Sequence, residues 1–256
     1  MNLRVLIANF IPIELTREKK DALFQTLVAL LSKEGVQKDP IVDQLFGTLA
    51  CEENMRTALG WLEQSKITNS EGQNLYDLKQ SHKFTILRVL FKSRDFTQEQ
   101  KMDLLETTLG EDRTDLSEQC RAACLAGLPD PEVKARVWQE VTDPNSTDSV
   151  YIRNAKMGGF YSGDQLDIIE PYFDKFFDIL YEQHEKSTHK KFEGFFYSML
   201  PRVVVKDNYI VRLVTILQET PDTEQMFTEM LRDGIDILVR QQQIRALASR
   251  ELQGGQ

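Results

Sequence analysis

Apolar residues recur along this chain three, four and seven positions apart, which is the period of one face of an α-helix. Five such stripes are separated by charged and polar positions. Their members are Leu23, Phe24, Leu27, Leu30 and Leu31; Leu116, Cys120, Ala123, Cys124 and Gly127; Val133, Val137, Trp138 and Val141; Leu166, Ile169, Phe173, Phe176, Phe177 and Leu180; and Met226, Met230, Ile237 and Val239. The pattern predicts an all-α protein in which each helix buries one face.

Strand-like alternation of apolar and polar residues is nearly absent. The stretch RVVVKDNYIV, residues 202–211, is rich in β-branched residues and is the exception. A pair of helices broken at Asp207 explains this stretch as well as a strand does.

Two pairs of residues have the spacing of a capping box, in which the side chains at the first and fourth positions bond each other's backbone N–H groups. They are Thr97 with Gln100 and Asp222 with Gln225. Each pair predicts that a helix begins directly after its first member.

A tight turn is predicted within CLAGLPDPEVKARVWQEV, residues 124–141. The residue before a proline avoids helical backbone angles, so a helix that ends near Leu128 cannot easily continue through Pro129. Asp130 is then placed to cap a new helix whose first residue is Pro131. The stretch is therefore predicted to join two helices, each with one apolar stripe.

The chain contains about a dozen helical segments of roughly 10 to 20 residues with short connections between them. The joints fall near residues 36, 51, 69, 95, 111, 129, 145, 162, 184, 202 and 221. Helices joined by such short turns tend to lie antiparallel and to stack on their neighbours. We therefore predict an irregular α-solenoid of antiparallel helix pairs, of the HEAT or armadillo kind, that spans residues 1–256 as one domain. An ordinary helical bundle is the alternative.

Composition narrows the possible partners and locations. The 256 residues carry a net charge of −9, and an acidic surface repels the phosphates of nucleic acid. No apolar run approaches the roughly 18 residues of a membrane span, and the start, MNLRVLIANFIPIEL, is expected to be part of the fold rather than a signal peptide. Three cysteines in a chain of this size favour a reducing compartment, so a cytoplasmic location is expected.

The best candidate for metal chemistry is the stretch HEKSTHK, residues 184–190. His184 and His189 are five positions apart and would diverge by about 140° on a helix, whereas a zinc motif needs both on one face together with a third ligand. Cys120 and Cys124 would share a helix face but have no further pair of ligands nearby, so they are expected to be small buried residues. The sequence also has no nucleophilic-elbow or phosphate-loop motif. It predicts no catalytic residue and no metal site.

Residues 111–180 contain motifs of a known kind. They are Asp112-Arg113-Thr114 with Glu118; Gly127 to Trp138, which includes Pro129 and Lys134; Arg153 to Phe160, which ends in Gly-Gly-Phe; and Ile169, Tyr172, Phe176 and Phe177. These motifs resemble the C-terminal helical domain of aminopeptidase N-type zinc metallopeptidases, particularly the bacterial aminopeptidase N branch. The resemblance is strong over residues 53–182 and loose over residues 1–52 and 183–256. Two stretches, DPNSTD at 143–148 and YIRN at 151–154, depart from the family pattern.

The resemblance implies a function as well as a fold. The chain would be a non-catalytic domain that caps the active-site chamber of a zinc aminopeptidase, helps to bind peptide substrates and stabilises the catalytic domain. The family's zinc motif and Gly-x-Met-Glu-Asn motif belong to that separate catalytic domain, so no cofactor is expected in this chain and zinc is expected there. The implied partners are the catalytic domain, in the same precursor or in trans, and a peptide. A stand-alone helical-repeat scaffold that has lost the catalytic domain is the alternative.

Arg153 and Lys156 are the candidate peptide-binding residues. They precede the Gly-Gly pair and lie one helical turn apart, so they could act together. A guanidinium group can bind a carboxylate through two hydrogen bonds, as the terminal carboxylate of a peptide would require. Two solvated charges on an outer helix face are the alternative.

Overall fold

A computed structural model describes the backbone of residue 11, residues 13–221 and residues 223–254. In that part of the chain, thirteen α-helices, two short 3-10 turns and one two-stranded sheet form the regular structure. The predicted all-α class is confirmed. The chain divides into two compact units: unit 1, residues 1–121, and unit 2, residues 122–256.

The helices have the following bounds. Unit 1 contains α1 (Ile13–Leu31), α2 (Lys38–Leu45), α3 (Glu52–Gln64), α4 (Gln80–Lys92) and α5 (Gln98–Leu109), and the division between the units falls within α6 (Asp115–Gly127). Unit 2 continues with α7 (Pro131–Thr142), α8 (Val150–Phe160), α9 (Leu166–Ile169), α10 (Pro171–Lys186), α11 (His189–Met199), α12 (Asp207–Glu219) and α13 (Gln225–Gly254). None of these helices combines the length and the apolar character that a membrane crossing needs.

Two predicted helix starts have the expected caps. The carboxylate of Asp130 accepts hydrogen bonds from the backbone N–H groups of Glu132, at 2.7 Å, and Val133, at 3.2 Å. Thr97 and Gln100 form the predicted capping box at the start of α5. Asp222 and the first ten residues lie outside the described residues, and so do the predictions made for them.

A short β-hairpin in unit 1 was not predicted. Strands β1 (Lys66–Thr68) and β2 (Asn74–Asp77) pair antiparallel where the sequence indicated a helix joint near residue 69. The Asn69 side chain accepts two backbone N–H bonds in the connecting turn, and Gly72 has a φ of +79°. Ile67 and Leu75 are the buried residues of the two strands.

Most members of the apolar stripes are buried, whereas Leu23, Leu30, Leu166, Ile237 and Val239 are only partly buried. Val133, Val137, Trp138 and Val141 of α7 are all buried, whereas Leu116 is 65 % exposed and Ser117 takes the inward position on α6. Met226 is 49 % exposed, and its neighbour Phe227 is buried instead.

The bounds of some helices differ from the prediction. The fourth stripe is shared by two helices, α9 and α10, because Pro171 begins the second of them. The predicted joint near residue 184 lies slightly later, since α10 continues to Lys186. The stretch 202–211 contains no strand: α11 ends at Met199 and α12 begins at Asp207.

Helices of unit 2 form successive antiparallel pairs. These pairs are α7 with α8, α10 with α11, and α12 with α13, and α8 also contacts α11. In the last pair, Asp207 at the start of α12 bonds Gln242, and Leu213 lies against Gly234 of α13. The two helices therefore run in opposite directions.

Equivalent helices of neighbouring pairs lie side by side and run parallel. Asp174 of α10 contacts Arg212 of α12, and Asp233 of α13 accepts a hydrogen bond from the hydroxyl of Tyr197 on α11. The residues of these contacts are 38 and 36 positions apart in the sequence. Unit 2 thus has the organisation of helical repeats, and the curved solenoid stays a prediction.

Glycine allows two pairs of helices to approach closely. A Cβ atom on Gly159 of α8 would overlap the backbone carbonyl of Ala123 in α6, and one on Gly234 of α13 would lie 2.8 Å from the ring of Phe196 in α11. A larger residue at Gly159 would have to displace backbone, which cannot move as a side-chain tip can.

Candidate functional site

Arg153, the first predicted binding residue, is buried on α8 and is 2 % exposed. Its guanidinium donates to the backbone carbonyl of Val141, with Nε at 2.8 Å and a second nitrogen in contact as well. Burial lowers the pKa of the guanidinium, and the nearby carboxylates of Asp148 and Asp143 oppose that effect. Because the carbonyl of Val141 is among the last of α7, Arg153 caps the negative end of that helix.

Lys156, the second predicted residue, has two acidic partners. Its ammonium lies 2.5 Å from an oxygen of Asp148 and 2.9 Å from an oxygen of Glu140. Burial acts against its charge, but hydrogen bonds to Asp148 and Glu140 outweigh burial and raise the pKa of Lys156. The two basic groups therefore bond different protein partners, and their role in peptide binding stays a prediction.

The position of Arg153 recurs in other helices. It is the fourth residue of its helix, and so are Lys83 of α4, Lys101 of α5 and Lys134 of α7. Lys83 donates to Ser65 Oγ, the residue that ends α3, at 2.7 Å. Each of these four side chains thus reaches back to the end of an earlier helix.

Lys101 and Lys134 are buried ammonium groups that bond backbone carbonyls. Lys101 is 1 % exposed and donates to the carbonyl of Ser93 at 2.6 Å, and burial lowers its pKa to about 8. Lys134 is fully buried and donates to the carbonyls of Ala126, at 2.8 Å, and Phe160, at 2.7 Å. A basic residue at the fourth position of a helix is the sequence signal for these contacts, and the predictions from sequence missed it.

The histidine stretch forms a different site from the one that zinc would need. His184 lies near the end of α10 and His189 begins α11. Nε2 of His184 is 3.0 Å from a carboxylate oxygen of Glu224, and its ring stacks on Phe227 at a centroid distance of 4.2 Å. Glu224 precedes α13 and is 40 positions away in sequence, so sequence spacing alone gave no sign of the pair. Among the described residues there is no group of three His, Cys, Asp or Glu arranged to hold a metal.

An open cavity of about 380 Å³ lies beside this pair. It is lined by His184, Ser187, His189, Thr223, Glu224, Gln225 and Met226. The lining combines imidazole, hydroxyl, amide and carboxylate groups with one thioether, and it includes the first residues of α11 and α13. A cavity of this size can hold a small polar molecule.

No protein-family model and no curated protein matches this chain.

Proposed function

We propose that this chain is the non-catalytic C-terminal helical domain of an aminopeptidase N-type zinc metallopeptidase. In this role it caps the active-site chamber, helps to hold peptide substrates and stabilises the catalytic domain. The proposal starts from the sequence resemblance. The observation that supports it is that residues of the Gly127–Trp138 and Gly-Gly-Phe motifs, which carry the resemblance, lie at contacts between helices.

The motif from Gly127 to Trp138 supplies the first of these contacts. Trp138 lies among three aromatic rings, with centroid distances of 5.2 Å to Tyr172, 6.1 Å to Phe160 and 6.4 Å to Phe195. Lys134, the lysine of the same motif, joins the ends of α6 and α8. The motif therefore connects α6, α7, α8, α10 and α11.

A second motif also lies at a contact between helices, and a third forms local hydrogen bonds at the start of α6. In Gly-Gly-Phe, Gly159 lies against the backbone of α6, and Phe160 is fully buried. Asp112, of the motif that precedes α6, accepts hydrogen bonds from the hydroxyl of Ser117 at 2.6 Å and the backbone N–H of Thr114 at 2.8 Å, and these bonds lower its pKa to about 2. These contacts support a shared fold, and the function is inferred from that fold.

Zinc and the reacting groups belong, under this proposal, to the separate catalytic domain. The part of the chain that the structure describes offers no metal-binding cluster of its own. Because the proposal places the reacting groups in the other domain, the isolated chain is expected to show no release of N-terminal residues from peptides, with or without added zinc.

Reconstitution tests the proposal directly. The probe is the thermolysin-like zinc domain of a bacterial aminopeptidase N, prepared without its own helical domain and mixed with this chain. We expect a one-to-one complex in sedimentation velocity and a gain of activity on a long peptide that exceeds the gain on an aminoacyl anilide. An unrelated HEAT-repeat protein at equal concentration is the control.

The size of the native protein tests the alternative. An immunoblot of the source cells with an antibody against unit 2 is expected to detect a chain several times heavier than 29.6 kDa. A native chain near 29.6 kDa that forms no complex with the zinc domain would contradict the proposal and favour the stand-alone scaffold.

A further inference from the structure

We draw no further inference here: the strongest candidate, the cavity of about 380 Å³ between the α10–α11 turn and the start of α13, carries nothing because its His184 already pairs with Glu224 and nothing in the structure shows which ligand it would take.

Discussion

Two joints in this protein are held in different ways: one by a buried ammonium group between helices, and one by solvent-exposed hydrogen bonds between a hairpin and a helix. In unit 2, the fully buried Lys134 bonds the carbonyl ends of α6 and α8. In unit 1, an exposed network attaches the β-hairpin to α2: Asp39 accepts hydrogen bonds from Tyr76 and from Lys79, the latter at 2.7 Å, and both charged side chains are 57 % exposed. A lysine thus takes part in both joints, buried in one and exposed to solvent in the other.

The difference teaches which basic residues the fold depends on. At the exposed joint, water and salt can replace each bond, so the network adds little to stability. At the buried joint, water cannot reach the carbonyl oxygens if the ammonium is removed, so the loss is large. Arg153 belongs with Lys134, because it too is buried and bonds a helix end.

The largest expected effect comes from removing the buried cation. Lys134→Met keeps the length of the side chain but leaves the carbonyls of Ala126 and Phe160 without their donor, so we expect a loss of about 4 kcal/mol in the free energy of unfolding. Urea denaturation followed by circular dichroism measures it. Lys186→Met, at a side chain that is 53 % exposed, is the matched control and should change stability by less than about 1 kcal/mol. Equal losses in the two variants would contradict the comparison.

The adjacent glycines of α8 provide a second, sharply matched pair. Gly159→Ala forces a methyl group into the backbone of Ala123 and should destabilise the protein by about 2 kcal/mol. Gly158→Ala meets nothing within 4 Å and should stabilise the helix by about 0.5 kcal/mol, since alanine favours helix more than glycine does. Denaturation midpoints of the two variants should shift in opposite directions. A shift in the same direction would show that α6 and α8 are not packed as closely as the structure has them.

Buried and exposed lysines should also differ in their dependence on pH. The pKa of Lys101 is about 8 in the folded protein, lowered by burial from its ordinary value of 10.5. Between these two values the unfolded chain binds the proton that the folded protein has lost, so the free energy of unfolding should rise with pH, by about 2 kcal/mol from pH 8 towards pH 10. Lys79 should contribute no such rise, because its hydrogen bond to Asp39 raises its pKa above the ordinary value.

The measurement compares urea denaturation of the wild type and of Lys101→Met at pH 7.5, 8.5 and 9.5. The rise should disappear in Lys101→Met and persist in Lys79→Met. Raised tyrosine pKa values act in the opposite direction, but only at pH values above that range, as for Tyr197, whose pKa burial raises to about 12. The raised pKa of the Cys51 thiol opposes the rise in the wild type and in both variants, so the comparison between variants is decisive: equal pH dependence in the wild type and in Lys101→Met would exclude a lowered pKa at Lys101.

Local signals accounted for much of the fold. The helical period, the cap at Asp130 and the capping box at Thr97 each depend on residues within one or two turns, so the sequence alone could predict them. The hairpin was missed because its strands have three and four residues, too few for a period to emerge.

Contacts between distant helices account for what the sequence could not predict. The partner of His184 is Glu224, and the neighbour of Gly159 is Ala123; both pairings depend on which helices become adjacent. Arg153 was predicted to bind a peptide from its charge and spacing, whereas its burial follows from the way α8 packs on α7. Residue type alone indicates what a side chain can bind, but the packing of the helices decides what surrounds it.

The smallest expected effect concerns the exposed joint of unit 1. Asp39→Asn removes the negative charge that the Lys79 ammonium and the Tyr76 hydroxyl both bond. The loss of stability should be smaller than in Lys134→Met or Gly159→Ala, because water replaces these bonds. Whatever difference remains between the variant and the wild type at low salt should vanish in 1 M sodium chloride, where charges are screened beyond roughly 3 Å. The defect of Lys134→Met should persist in the same salt, because its carbonyl partners are out of reach of ions. Parallel urea titrations at low and high salt separate the two cases, and a salt-insensitive loss in Asp39→Asn would mean that the hairpin joint is held by packing rather than by its charges.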